Sequence, residues 1–228
     1  MDEQCPNFLD HGSAHINRQM FLDRIRQQLK VDRGRDAYCA PLYLSGARGS
    51  LFKVCLASHG YTLVAKGVEA MDVAVLSKEY MVYDHIRGIQ GRFVPVCLGG
   101  IDLELPWYYD SGVFERFLFL SYAGQPIREY EKQVMAGVMG DLMTGLCKLH
   151  KCGVLHRDAE LRNALHDART GKSVIVDFER AELRPRQPLK PVSSNVRSRK
   201  RKRVQWGKGK DAYARELQST YRDPFFSC

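Results

Sequence analysis

Apolar residues recur along this chain with two periods, and those periods predict its elements in order. Over 14–31, AHINRQMFLDRIRQQLKV, residues Ile16, Met20, Ile25 and Leu29 return at helical spacing, and the pattern stops before Arg33-Gly34. Three strand-like runs follow, APLYL, SLFKVCLA and YTLVAKGV, broken by SGARG and SHG. The stretch 73–86, VAVLSKEYMVYDHI, is amphipathic at the helical period, and FVPVCLGGIDL and RFLFLSYA predict two further strands. The longest helical pattern is 129–153, with Val134, Val138, Leu142, Leu146 and Leu149 on one face and Gly153 suited to a C-cap. A charged loop, HRDAELRN, then leads into an apolar strand, SVIVDFE. This order of elements predicts an α+β fold without internal repeats.

Composition narrows the picture. A chain of 228 residues with 44% hydrophobic content can bury a core, either as one large domain or as two small lobes. No apolar run approaches the roughly 18 residues of a membrane helix, and the acidic opening MDEQCPNFLDH lacks the apolar centre of a secretory signal. The expectation is a protein of the nucleus or cytoplasm with no membrane partner. Seven cysteines in no framework spacing read as reduced thiols. Among them CKLHKCGVLH gathers Cys147, His150, Cys152 and His156, either as a metal arrangement or, more plainly, as a helix end carrying two thiols.

The charge is uneven. Nine of the 35 Lys and Arg fall between Lys190 and Lys210 with no acid among them, so the remaining 26 balance the 26 Asp and Glu. Pro, Ser and basic residues predict a disordered tail over 183–210, followed by a short helix at DAYARELQSTY. Within it RSRKRKR, 197–203, is a candidate for an import receptor or for nucleic acid, with Trp206 placed to stack on a base.

Eight residues, HRDAELRN, hold five charged or titratable side chains directly after the apolar GVL, although unpaired buried charge is costly. His156-Arg157-Asp158, then Asn163, match the pattern H-R-D-x-x-x-x-N, and Asp177-Phe178 closes an apolar strand nineteen residues beyond Asp158. Upstream, VAK puts Lys66 on a strand, and the next helix offers Glu79, with Asp84 as the alternative acid. Gly46 and Gly49 lie between the first two strands. In this order the residues resemble the protein kinase-like family, in particular its divergent fungal-type members, over about 38–182.

That resemblance implies a two-lobed kinase-like fold: an antiparallel-sheet amino-terminal lobe at 38–124 and a much shortened helical carboxyl-terminal lobe at 125–186. A helical segment at 1–37 would precede them and the basic tail at 187–228 would follow. The implied activity is phosphoryl transfer from ATP with Mg2+, because such chemistry asks a protein mainly to position groups and offset charge. By the same resemblance Asp158 is the base that orients the acceptor hydroxyl, and Arg162 neutralises the phosphate. Asn163 and Asp177 are the metal ligands, and Lys66, paired with Glu79, holds phosphates. Gly46, Gly49, Val54, Ala65, Ser121 and Ala123 surround the nucleotide, the last two in a hinge that meets adenine. Three departures stand out. Glu179 replaces the glycine after Asp-Phe, Glu160 replaces a phosphate-contacting lysine, and no activation segment ending in Ala-Pro-Glu is present. These keep a catalytically impaired pseudokinase, and a small-molecule kinase of the aminoglycoside or choline type, as alternatives. The acceptor is open between protein and small molecule.

Overall fold

The computed structural model describes residues 15–34, 37–46, 48–127, 132–184 and 208–221. The RSRKRKR run and Trp206 lie outside the described residues. Helix α1 (Arg18–Val31) is opened by Asn17, whose side chain accepts from the Met20 amide at 2.9 Å, the usual way of satisfying a free helix-start donor. Its buried face is Phe21, Leu22, Ile25 and Leu29. Met20, expected on that face, is exposed instead, because the Asn17 cap sets a register that turns Phe21 and Leu22 inward.

Five strands form one antiparallel sheet: β1 (Cys39–Gly46), β2 (Gly49–Leu56), β3 (Tyr61–Val68), β4 (Cys97–Tyr109) and β5 (Gly112–Leu120), in the order β1-β2-β3-β5-β4. Helix α2 (Val73–His85) joins β3 to β4. The FVPV stretch, predicted as part of a strand, precedes β4 and makes only a single bridge, Gln90 to Val94.

Side chains alternate across a strand, so the sheet has two chemically distinct faces. Phe52, Val54, Leu56, Ala65, Phe117 and Phe119 point to one face and pack with the α1 residues Phe21, Leu22, Ile25 and Leu29. Val68, Leu118 and Leu120 point to the other and pack with Leu76, Val82 and Tyr83 of α2 and with the elements that follow. Those elements are β6 (Gln125–Pro126), α3 (Lys132–Lys151), β7 (Val154–Leu155), β8 (Ala164–Asp167), β9 (Lys172–Ile175), β10 (Glu182–Leu183) and α4 (Lys208–Tyr221). Val138, Leu142, Leu146 and Leu149 form the buried stripe of α3, as the sequence predicts. Gly153 ends it at φ +79°, and an added Cβ there would also meet the Arg184 carbonyl at 2.6 Å.

The disordered tail expected over 183–210 is corrected where Leu183 lies in β10 and residues 208–210 lie in α4, while 185–207 fall outside the described residues. Glu182–Leu183 pairs with β7, and Arg184 donates its amide to the Gly153 carbonyl at 2.7 Å. The short helix expected at DAYARELQSTY is present as part of α4, and its Tyr213, Glu216 and Leu217 face the protein at i, i+3 and i+4. Among the described residues no helix is long and apolar enough to cross a membrane.

Candidate functional site

Lys66 stands on β3 opposite Leu51 of β2 and Leu118 of β5, which places all three on the face turned toward α2. Its Nζ is 2.8 Å from Glu79 Oε2, 3.1 Å from Asp177 Oδ1 and 2.8 Å from Glu179 Oε1. Glu79 sits on the apolar stripe of α2, with Leu76, Val82 and Tyr83, so helix geometry carries a carboxylate into the core, where it is 1% exposed. Burial pushes the Glu79 carboxyl up, and the Lys66 charge works against that rise. Burial alone would lower the Lys66 ammonium, yet Glu79, Asp177 and Glu179 outweigh it and raise it. The competing acid Asp84 lies on the outer side of α2, where it pairs with Arg87.

Asp177 follows β9 with φ at +67°, a backbone region that non-glycine residues enter at a cost of order 1–3 kcal/mol. The segment is held in place on both sides. Val176 donates its amide to the Asn163 carbonyl at 2.9 Å, and the Phe178 amide lies 3.3 Å from Glu79 Oε1. The Phe178 ring fills a core slot between Tyr83 and His156, with centroids 5.0 and 4.9 Å away.

His156 is fully buried, and its Nε2 donates to the Val176 carbonyl at 2.9 Å while Nδ1 has no partner among the described residues. Burial lowers its pKa and keeps the ring neutral, which agrees with an Nδ1 that has no acceptor for a second proton. Arg157 turns the chain at φ +68°, and its guanidinium pairs with Glu182 at 2.7 Å. Asp158 is thereby presented beside Asn163, whose amide nitrogen lies 2.8 Å from the Asp158 carbonyl and 3.2 Å from Oδ2. Oδ1 takes Arg162 at 2.6 Å, and Arg180 approaches it at 3.9 Å. Arg162 also pairs with Glu160, so the acid in the unexpected position is neutralised locally. Hydrogen bonding to Asp158 raises the Arg162 pKa further.

Glu216 of α4 supports the loop that bears Asp158 and was not singled out in the sequence. Its carboxylate accepts from the backbone amides of both His156 and Arg157 and contacts His150 Nε2 at 2.7 Å. Burial would push this carboxyl up, but the bonds from His150, Arg157 and His156 hold it below the usual range. The available signal was an acid on an otherwise apolar stripe, between Tyr213 and Leu217.

The structure therefore brings together Lys66, Glu79 and Asp177, and separately Asp158, Arg162 and Asn163, with the Asn163–Val176 bond joining the two groups. Two expected nucleotide contacts are corrected. Val54 and Ala65 are buried on the α1 face, because each is an odd number of positions from a residue on the Lys66 face; Val64 and Leu51 occupy that face instead. Gly49 has a structural reason to be glycine, since an added Cβ would meet the Gly67 carbonyl at 2.3 Å. It closes the β1–β2 hairpin against Gly46. In the Ser121–Gly124 connector the Ser121 amide donates to the Val96 carbonyl at 2.8 Å, and Ala123 is half-buried. His150 and His156, once grouped with Cys147 and Cys152 as metal candidates, are engaged by Glu216 and Val176. Among the described residues, Glu79, Asp177 and Glu179 offer carboxylate oxygens within 4.8 Å of one another.

No protein-family model matches the chain. A curated relative does. Over 215 residues, 89% of this chain, it is 33% identical to the meiotic driver SPOK2 of Podospora anserina. The chain spans about a quarter of that protein's length, 26%.

Proposed function

We propose that this chain is an ATP-dependent phosphotransferase of the protein kinase-like type, two-lobed, with the sheet and α2 as the amino-terminal lobe and residues from about 125 onward as a shortened second lobe. The observation that carries the reading is the contact of Lys66 with both Glu79 and Asp177, the latter 111 positions away and tied to the loop that bears Asp158. Groups so distant in sequence converge when a site needs them together.

In this reading Lys66 holds the phosphates and Glu79 fixes its ammonium. Asp158 orients the acceptor hydroxyl and takes its proton, while Arg162 offsets negative charge on the transferred group. Asp177 and the Asn163 amide oxygen supply hard ligands of the kind magnesium takes, and the hold of Asp158 on the amide nitrogen leaves that oxygen for the ion. The bound ion would offset charge on the phosphates. The test is ATP binding and phosphate release by the purified chain with magnesium. Nucleotide should raise the melting temperature, by a free energy of about 2.7 kcal/mol at a hundredfold excess over Kd. Asp158→Asn should abolish phosphate release yet keep that shift. Absence of any nucleotide-dependent shift in the unaltered protein overturns the proposal.

A second reading, a nucleotide-binding module that transfers nothing, is favoured by the close Arg162–Asp158 pair, which occupies the proposed base. Under it the melting shift appears and phosphate release does not. The likeness to a meiotic driver extends the proposal to such a system, as one part of a longer protein. The phosphoryl acceptor is left as protein or small molecule.

A further inference from the structure

A lysine ammonium has three N–H donors. Lys66 faces three carboxylates at hydrogen-bond distance, Glu79 and Glu179 at 2.8 Å and Asp177 at 3.1 Å, so donors and acceptors match one for one. A phosphate oxygen gains a full hydrogen bond from this ammonium only when one carboxylate leaves. Three carboxylates around one ammonium also oppose the approach of a polyanion.

The three are unequal in freedom. Glu79 is held in the core, where a departure would strand a buried charge, and its second oxygen faces the Phe178 amide. Asp177 is bound to the backbone geometry beside Asn163. Glu179 differs, because a second cation is within reach: Arg48 Nε lies 4.0 Å from its other oxygen. Arg48 belongs to the β1–β2 turn, is half exposed, and is tethered to Asp72 at 3.3 Å. A small rotation exchanges one partner for the other.

Resting on the proposed function, we propose that Glu179 is an internal competitor of the nucleotide for Lys66, and that nucleotide binding transfers it from Lys66 to Arg48. The exchange frees one ammonium donor for phosphate and leaves Glu179 paired with Arg48 instead. It also gives the missing glycine after Asp-Phe a role: the residue there is a built-in anion rather than a hinge.

The test is titration of ATP, by calorimetry, against the unaltered protein, Glu179→Gln, Arg48→Gln and the double variant, each with magnesium and with chelator. Glu179→Gln keeps the shape and removes the competing charge, so affinity should rise about tenfold, most in chelator. Arg48→Gln should weaken binding severalfold in the unaltered background and have little effect in Glu179→Gln. Loss of the Arg48–Asp72 pair alone would act equally in both backgrounds, which isolates the exchange. Glu179→Ala serves as a second variant should the Gln side chain still bond Lys66. If the unaltered protein binds ATP and both Glu179→Gln and Glu179→Ala bind it equally or more weakly, the competitor role is overturned while the phosphotransferase reading stands. If no variant binds ATP, both fall.

Discussion

Glu216 and His156 are 60 positions apart, yet Glu216 Oε2 accepts from the His156 amide at 3.2 Å. The other oxygen takes the Arg157 amide, so one carboxylate anchors the two residues that precede Asp158. The strained Arg157 backbone is thus held from beneath by a helix that follows a basic stretch of sequence.

Removal of that anchor leaves two amides and His150 without their acceptor. Glu216→Ala should therefore cost about 2–4 kcal/mol, since orphaned buried polar groups cost about 1–3 kcal/mol each. At roughly 2–4 °C per kcal/mol for a chain of this size, Tm should fall by about 5–15 °C in calorimetry. Glu216→Gln, which retains one acceptor oxygen, should lose less. An unchanged Tm for the Ala variant would mean that α4 does not hold the loop.

The Lys66–Glu79 pair predicts a non-additive result. Lys66→Met leaves the Glu79 carboxylate buried without its cation, a change that typically costs about 3–5 kcal/mol. Adding Glu79→Leu removes the stranded charge and should recover part of the loss. Urea denaturation of both single variants and the double variant measures the coupling, and simple additivity would contradict the pairing.

His156 sets a pH dependence. Its folded pKa is lowered by burial, whereas the unfolded chain titrates near 6.5. Below about pH 6.5 the unfolded state takes up a proton that the native state refuses, so stability falls as pH drops and is flat above. The slope from this group approaches about 1.4 kcal/mol per pH unit at its steepest. His156→Gln, which can still donate to Val176, should remove that component between pH 5 and 7 in urea midpoints. An identical slope in the variant would place the dependence elsewhere.

Gly49→Ala tests whether that glycine serves the strands or a ligand. The added Cβ would meet the backbone of Gly67, so the variant should lose more than about 1 kcal/mol with no nucleotide present. Equal stability of the two proteins without nucleotide would return Gly49 to a purely ligand-facing role.

Sequence by itself determined the order of the main elements, because hydrophobic period is a local property: α2, the long α3 stripe and the strands of the five-stranded sheet follow where the apolar residues recur, whereas β6, β7, β8 and β10 are too short to show a period. It also marked Lys66, Asp158, Asn163 and Asp177, whose spacing around HRDAELRN is legible without coordinates. It even contained the alternation that excludes Val54 and Ala65 from the Lys66 face, since parity along a strand decides the side. Only the tertiary structure decided which acid of α2 meets Lys66, that Glu179 turns inward to join it, and that Glu216 closes the loop from below. Those outcomes depend on contacts between residues 13 to 113 positions apart, set by how layers pack and where buried charge finds a partner, and no local pattern encodes either.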